Sequence, residues 1–151
     1  MIKRLRVKNF KIHKNTEIIF ESFLVILTGE NNSGKTSLLE ALMIFKECYD
    51  QNLRQIQRKT SKNVQSGVLS VGQFDFKASE FVPYFAAVRS ENYYELFYQG
   101  TKSFELEAEF EIDNTTFTLV FEVKQGRNQT AYNIESRTDE YNLVLLNQFS
   151  P

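Results

Sequence analysis

Residues 24–42 read LVILTGENNSGKTSLLEAL, and this stretch largely determines which fold we expect. An apolar run leads into a polar turn that contains Gly29 and Gly34, and an apolar segment without a helix breaker follows Lys35 and Thr36. The turn satisfies the pattern G-x-x-x-x-G-K-[ST], the P-loop or Walker A motif, which belongs between a buried strand and a helix. Both flanks have that character, so the sequence predicts a phosphate-binding loop.

The residue types of this loop suit a triphosphate. Glycines let the backbone fold so tightly that successive N–H groups point inward, and the helix N-terminus adds partial positive charge there. Lys35 can reach the β- and γ-phosphates as a point charge, and the Thr36 hydroxyl can ligate Mg²⁺. We therefore expect ATP and Mg²⁺ as cofactors and a catalytic role for Lys35. The alternative is a glycine-rich turn that caps a helix and leaves Lys35 solvated.

The segments around the loop have clear hydrophobic patterns. Residues 2–10 alternate apolar and basic side chains, which indicates a half-buried strand, and residues 16–20 indicate a second short strand. Residues 23–27, FLVIL, are continuously apolar, which is typical of a strand covered on both faces, as in a parallel sheet. Apolar residues at nearly every turn predict a largely buried helix from Ser37 to about Tyr49.

The middle of the chain has weaker signals. Residues 50–66 are polar and are either the fraying end of the helix or a loop. Ser79 is suited to cap a short helix that extends toward Arg89. For residues 92–98 the pattern is ambiguous, and a helix is slightly favoured.

The last third predicts an antiparallel meander. Apolar residues alternate with glutamates from 103 to 112, an Asp-Asn hairpin signal follows at 113–114, and residues 117–123 form the next apolar face. Further strands are expected at 132–135 and 143–146. The predicted fold class is α/β: a P-loop NTPase with a mixed sheet around the P-loop helix plus an antiparallel β meander.

Composition limits the class of protein. The chain has 151 residues, enough for one domain with a substantial core. With 18 Lys and Arg against 19 Asp and Glu, bulk charge indicates no particular partner. No apolar run approaches the roughly 20 residues of a membrane span, and Cys48 is alone, so a cytoplasmic location is the simplest interpretation. We expect Cys48 to pack on the apolar helix and His13, the single histidine, to lie on the surface.

Charge is unevenly distributed along the chain. Residues 1–14 hold six Lys and Arg and no acid, whereas residues 104–113, FELEAEFEID, are strongly acidic. Two interpretations are open: either these are two solvated strand faces of opposite sign, or the basic strand faces an anion.

Residues 2–20, IKRLRVKNFKIHKNTEIIF, followed by residues 24–42, resemble the N-terminal lobe of ABC-type ATPase heads. These heads belong to the SMC, RecF and OLD families of DNA repair and phage defence, and the wording NNSGKTSLLEAL is most similar to OLD-like AAA ATPases. The resemblance is specific over residues 1–45. It implies a head that binds ATP, dimerises around two nucleotides and acts on DNA. It also implies that residues 1–151 are a single partial ATPase domain, which lacks the second lobe with Walker B and the signature.

The resemblance implies roles for individual residues. Lys11 lies where such heads often have a nucleotide-contacting arginine, although a lysine lacks the bidentate fork. Asn32 replaces a glycine, and asparagine tolerates a left-handed backbone better than other non-glycine residues. Gln148, after the last predicted strand, would sense the metal and the γ-phosphate, which gives it a catalytic and a metal-binding role. The residues implied to bind the nucleotide are Lys11, Gly29, Asn31, Asn32, Ser33, Gly34, Lys35, Thr36 and Ser37.

Three further segments are better explained without catalysis. Residues 69–73, LSVGQ, are similar to the ABC signature L-S-G-G-Q, but Val71 replaces a glycine and no Walker B strand follows. The acids of residues 104–113 alternate along one strand face, whereas Walker B requires acid after an apolar strand. The aromatic cluster at 93–98 suits packing better than base stacking.

Three functions fit these observations. The first is the nucleotide-binding lobe of an ABC-type, DNA-linked ATPase, with a second lobe or subunit and a head dimer as partners, DNA engaged through the complete protein, and no membrane. Alone, such a lobe is expected to hydrolyse little ATP. The second is a non-catalytic nucleotide-binding regulatory or interaction module. The third is a small-molecule or nucleotide kinase, which the antiparallel meander fits less well.

Overall fold

A computed structural model describes residues 1–65, 79–82, 85–86, 88, 93–126 and 132–136. These residues contain one long helix, two short 3₁₀ turns and a single six-stranded sheet of order β2-β1-β4-β5-β6-β3, in which every neighbouring pair is antiparallel. The elements in chain order are β1 (Ile2–Phe10), β2 (His13–Ile19), α1 (Lys35–Gln65), β3 (Ser79–Val82), the 3₁₀ turns Tyr93–Leu96 and Tyr98–Gly100, β4 (Ser103–Ile112), β5 (Thr115–Gln125) and β6 (Tyr132–Ser136).

Local hydrophobic patterns located most of these elements. The strand at 2–10, the second short strand, the two meander strands and the strand at 132–135 are confirmed. The hairpin signal is also confirmed, because Asp113 and Asn114 have φ of 47° and 62°, the left-handed backbone of a two-residue hairpin turn. The helix begins two residues before Ser37 and continues through most of the polar segment that the sequence left open.

The helix predicted to start at Ser79 is wrong. Residues 79–82 form β3, which pairs with β6 in the register Ser79↔Glu135 to Val82↔Tyr132. The capping preference of a serine is a local signal, and pairing with a strand 50 to 56 positions later overrides it. The expected strand at 143–146 and the LSVGQ segment at 69–73 lie outside the described residues.

Residues 23–27 are the largest departure from expectation. A strand buried on both faces was predicted, but the segment is not a strand, and Phe23 is 99% exposed while Leu24 and Ile26 are each 73% exposed. Only Leu27 packs against the core. No described strand pairs with the segment, so the sheet in this part of the chain is purely antiparallel instead of mixed. The hydrophobicity of the run indicates that it favours burial. Burial also requires a second surface that packs on the run, and its own sequence does not specify that surface.

One face of the sheet packs on α1 and forms the core. The helix contributes apolar side chains at intervals of three or four residues, and the strands contribute every second residue. Phe10 and Phe97 both pack against Phe104, with ring centroids 5.0 Å and 5.5 Å from the Phe104 centroid. The most deeply buried side chains of this core include Leu5, Val7, Phe10, Ala41, Ile44, Cys48, Phe104, Leu106, Phe121, Val123 and Ile134.

Cys48 has the packing role that the sequence predicted. Its side chain is fully buried, and burial raises the pKa of the thiol far above its ordinary value. The Asn52 side chain, which is also buried, donates to the Cys48 carbonyl oxygen at 2.9 Å. Among the described residues, no helix is both long enough and apolar enough to cross a membrane.

The opposite face of the sheet carries paired charges. Arg4 Nη2 lies 3.0 Å from Glu107 Oε1, and Lys8 Nζ lies 2.5 Å from Glu105 Oε1, so basic β1 faces acidic β4. The anions that face the basic strand are therefore carboxylates of the same chain. Such half-exposed pairs contribute little stability, but like charges would oppose this register, so the pattern helps to select β4 as the neighbour of β1.

Matched substitutions of two phenylalanines test where the core ends. Phe104→Ala is expected to lower the free energy of unfolding by about 3–5 kcal/mol, because the ring is buried and contacts two other rings. Phe23→Ala is expected to change it by less than about 0.5 kcal/mol, because that ring touches mainly solvent. Urea unfolding followed by circular dichroism measures both. Equal losses would show that residues 23–27 are buried after all.

Candidate functional site

Residues 29–36 form a tight loop between the exposed apolar segment and α1. Its backbone has positive φ at Gly29 (148°), Asn32 (65°) and Gly34 (85°), and the Ser33 N–H donates to the Glu30 carbonyl oxygen at 3.3 Å. A Cβ on Gly29 would lie 3.0 Å from Ser33 Oγ, so glycine is favoured there by space and by φ. The left-handed conformation of Asn32 confirms the expectation that asparagine preserves the loop.

The loop ends at the N-terminus of α1. Gly34 is the N-cap residue, because its carbonyl accepts the Leu38 N–H at 3.1 Å and the helix begins at Lys35. The first N–H groups of a helix have no partner within it, and no acidic side chain occupies the first turn of α1. The partial positive charge of this helix end is therefore not neutralised by its own first turn.

An open cleft of ≈ 550 Å³ lies at this junction. Its volume is in the usual range for small-molecule sites. The structure brings together the predicted residues from 31 to 37, whereas Gly29 lies at the base of the loop and Lys11 is outside the lining. The cleft is lined by Ile12, Asn31, Asn32, Ser33, Gly34, Lys35, Thr36 and Ser37.

The Lys35 side chain folds back over the loop. Its ammonium donates to the carbonyl oxygens of Gly29 at 2.8 Å and Glu30 at 2.6 Å, and to Ser33 Oγ at 3.1 Å. All three acceptors are uncharged, and within the described residues no carboxylate forms an ion pair with Lys35. The positive charge is thus held against the loop and remains available to an anion, which would receive a charge-assisted hydrogen bond.

The donors near the cleft suit Mg²⁺ only in one binding mode. In the described ranges, no group of three or more His, Cys, Asp or Glu side chains could hold a metal ion. Mg²⁺ usually takes one or two protein ligands and completes its octahedron with phosphate oxygens and water. The exposed Thr36 hydroxyl fits such a site, in which the nucleotide supplies much of the coordination.

Lys11 is engaged beside the cleft. Its ammonium lies 2.5 Å from Glu40 Oε2 on α1, and its backbone N–H donates to the Leu96 carbonyl oxygen at 2.9 Å. The pair links the β1–β2 turn to the second turn of the helix. A contact between Lys11 and the nucleotide stays a prediction, as does the sensor role of Gln148, which lies outside the described residues.

His13 is buried, so its assignment to the surface is wrong. The imidazole is 8% exposed, with Nε2 3.1 Å from the Gly34 carbonyl oxygen and Nδ1 2.9 Å from Thr16 Oγ1. The strand period places His13 on the same side as exposed Asn15 and Glu17, so local pattern gave no sign of burial. The covering residue, Gly34, is 21 positions away, and only the tertiary fold reveals the contact.

The aromatic cluster at 93–98 is divided between core and surface. Phe97 is buried and packs against Phe104, as the packing interpretation predicted, whereas Tyr94 is about half exposed. This cluster does not line the cleft.

Comparison with known proteins places this geometry in context. A stretch of 84 residues is 33% identical to the DNA replication and repair protein RecF of Leptospira interrogans, covering 47% of this chain and 23% of that protein. A longer stretch of 127 residues is 27% identical to the DNA double-strand break repair Rad50 ATPase of Methanocaldococcus jannaschii, covering 84% of this chain and 9% of that protein. A short stretch of 42 residues is 57% identical to an ATP/GTP phosphatase of Helicobacter pylori, covering 28% of this chain and 11% of that protein.

The chain therefore corresponds to less than a quarter of the length of each of these three relatives. The family comparison covers far more of the chain itself, since a model described as an AAA ATPase domain matches residues 1–149. The match includes the loop, the helix and all six strands of the sheet. This chain belongs to the AAA ATPase domain family.

Proposed function

We propose that this chain binds ATP with Mg²⁺ at residues 29–37, as the N-terminal lobe of an ABC-type ATPase head that serves DNA repair or phage defence. The observation that carries the proposal is the loop itself, a concave backbone at a helix N-terminus, where the Lys35 ammonium bonds, among the described residues, to uncharged acceptors alone. The names of RecF and Rad50 relatives connect the same kind of domain with DNA repair. The proposal therefore includes a P-loop NTPase fold and ATP with Mg²⁺ as the bound nucleotide.

Different groups of the loop would contact different parts of the bound nucleotide and its Mg²⁺. The residues at the start of α1 line the cleft, and their free N–H groups would donate to phosphate oxygens. Lys35 would exchange two carbonyl acceptors for β- and γ-phosphate oxygens, and this exchange is favourable because a hydrogen bond between two charged groups is stronger than one to a neutral carbonyl. The Thr36 hydroxyl would provide one ligand to the Mg²⁺ that accompanies the nucleotide.

We further propose that hydrolysis requires a second lobe, which supplies Walker B and the signature, and dimerisation of complete heads. The support is an apolar face that the described fold leaves uncovered, next to the loop. It contains a groove of ≈ 320 Å³. Contiguous exposed apolar surface of this kind marks interaction sites in soluble proteins. The exposed apolar side chains that line this groove include Phe23, Val25 and Leu39.

Substitution of Lys35 tests nucleotide binding. Lys35→Ala is expected to weaken Mg²⁺-dependent ATP binding by roughly 10- to 150-fold, because a hydrogen bond to a charged group contributes about 1.5–3 kcal/mol. Isothermal titration calorimetry with ATP, with and without Mg²⁺, measures the effect.

Lys46→Ala is the matched control for this experiment. Lys46 lies on the same helix, but its side chain is 75% exposed and pairs with Asp50 one turn later. This variant is expected to bind ATP like the unmodified chain. Equal measurable affinity for all three proteins would contradict the proposed site, and no Mg²⁺-dependent affinity in any of them would favour a non-catalytic interaction module that binds no nucleotide.

ATP turnover by the chain alone tests the need for a second lobe. Purified residues 1–151 are expected to release phosphate at the same background rate as the Lys35→Ala variant, because no Walker B carboxylate is supplied. A malachite-green assay over hours measures both rates. Robust turnover that Lys35→Ala abolishes would show that this chain is catalytically complete.

A further inference from the structure

The geometry points to His13 as a positioning residue for the phosphate-binding loop, a role that rests on the proposed function and acts through the Gly34 carbonyl. The imidazole does not line the cleft. It lies behind the loop, on the first residue of β2, and contacts Gly34, the residue immediately before α1. We infer that it fixes the angle at which the helix N-terminus, and with it Lys35 and Thr36, faces an anion.

The contact is defined at both ring nitrogens. A carbonyl oxygen can only accept, so the 3.1 Å contact with Gly34 requires a proton on Nε2. The neutral imidazole then has a bare Nδ1, which accepts from the Thr16 hydroxyl at 2.9 Å. With both nitrogens bonded and the ring almost fully buried, its orientation is fixed from the side of β2.

The Gly34 carbonyl has two donors. It accepts the first hydrogen bond of the helix, from the Leu38 N–H at 3.1 Å, and the bond from His13. The second bond therefore connects the sheet to the peptide group that starts the helix. The N-cap residue of a helix often supplies a capping side chain of its own, which Gly34 lacks, and the side chain that contacts this N-cap comes instead from 21 positions earlier.

The side chains behind Gly34 also explain why this position needs glycine. A Cβ there would lie 2.5 Å from Ile12 Cδ1 and 2.6 Å from His13 Nε2, distances at which one of the groups has to move. The φ of 85° independently disfavours any other residue. The β1–β2 turn thus occupies the space directly behind the loop, and the nearby Lys11–Glu40 pair holds the same turn against the helix.

Two substitutions separate positioning from packing. His13→Leu removes both hydrogen bonds, whereas His13→Gln keeps an N–H donor at about the reach of Nε2. We expect His13→Leu to weaken Mg²⁺-dependent ATP binding about tenfold and His13→Gln to recover most of that loss. Calorimetry on the 151-residue chain gives the dissociation constants, and thermal unfolding gives Tm for each variant.

The control for general destabilisation is Ile134→Val in β6, three strands from β1 in the sheet. It removes one buried methylene from the core, and its affinity for ATP is expected to be unchanged. Loss of affinity in Ile134→Val equal to that in His13→Leu, at a similar fall in Tm, would overturn the positioning role. Full affinity in His13→Leu would also overturn it. If His13→Leu does not fold, Thr16→Val, which frees one side of the ring, is expected to weaken binding about threefold, and full affinity there is the overturning result.

A measurement without nucleotide separates this inference from the proposed function. Since His13 is the single histidine, a long-range ¹H–¹⁵N spectrum of the untagged chain contains one imidazole. The neutral ring is expected to be protonated on Nε2, and the Leu38 amide is expected to exchange faster in His13→Leu than in Ile134→Val. An Nδ1-protonated or averaged ring would refute the contact even if ATP binds. If the ring has the expected tautomer but ATP does not bind, the proposed function fails while the contact stands.

Discussion

A tight loop can direct several N–H groups at one point only if some of its residues adopt left-handed backbone angles. The candidate site depends on this constraint. Gly29, Asn32 and Gly34 satisfy it. Because Gly34 has no Cβ, the β1–β2 turn can lie directly behind the loop, and the helix can begin at the next residue. The Lys35 ammonium then stabilises the loop by donating hydrogen bonds to the carbonyl oxygens of Gly29 and Glu30. The cleft exists because these conditions are met together.

Much of the fold could be predicted because its signals are local. The alternation at 103–112 and the hairpin pair after it specify β4 and the turn into β5, and the apolar spacing after Thr36 specifies α1. Residues 31–37, which the motif and the resemblance single out, line one cleft because they are consecutive at a helix start, whereas Ile12, which also lines it, had no signal in the sequence. Strand neighbours were not predictable in the same way. β1 lies next to β4, about 100 positions later, and charge complementarity explains that choice only once both strands are seen side by side.

The errors have a common physical cause. His13 was assigned to the surface because its own strand gives no reason for burial, yet Gly34 covers it from a distant part of the chain. Residues 23–27 were assigned to the interior because they are apolar, yet within the described fold only Leu27 of this segment packs against the core. In both cases the sequence reveals what a segment favours, and the surrounding structure decides whether that preference is met. The contacts behind the loop, from His13 and from the Lys11–Glu40 pair, likewise join distant parts of the chain and could not be predicted from local patterns.

The central claim is that the amides of one loop converge on a triphosphate. The most direct measurement is a ¹H–¹⁵N correlation spectrum of the labelled chain titrated with ATP and Mg²⁺. The account predicts that the largest shifts occur at the amides of residues 31–37, with small shifts in β5 and β6. Shifts confined to other parts of the chain, or none at saturating nucleotide, would contradict the assignment of this loop as the nucleotide site.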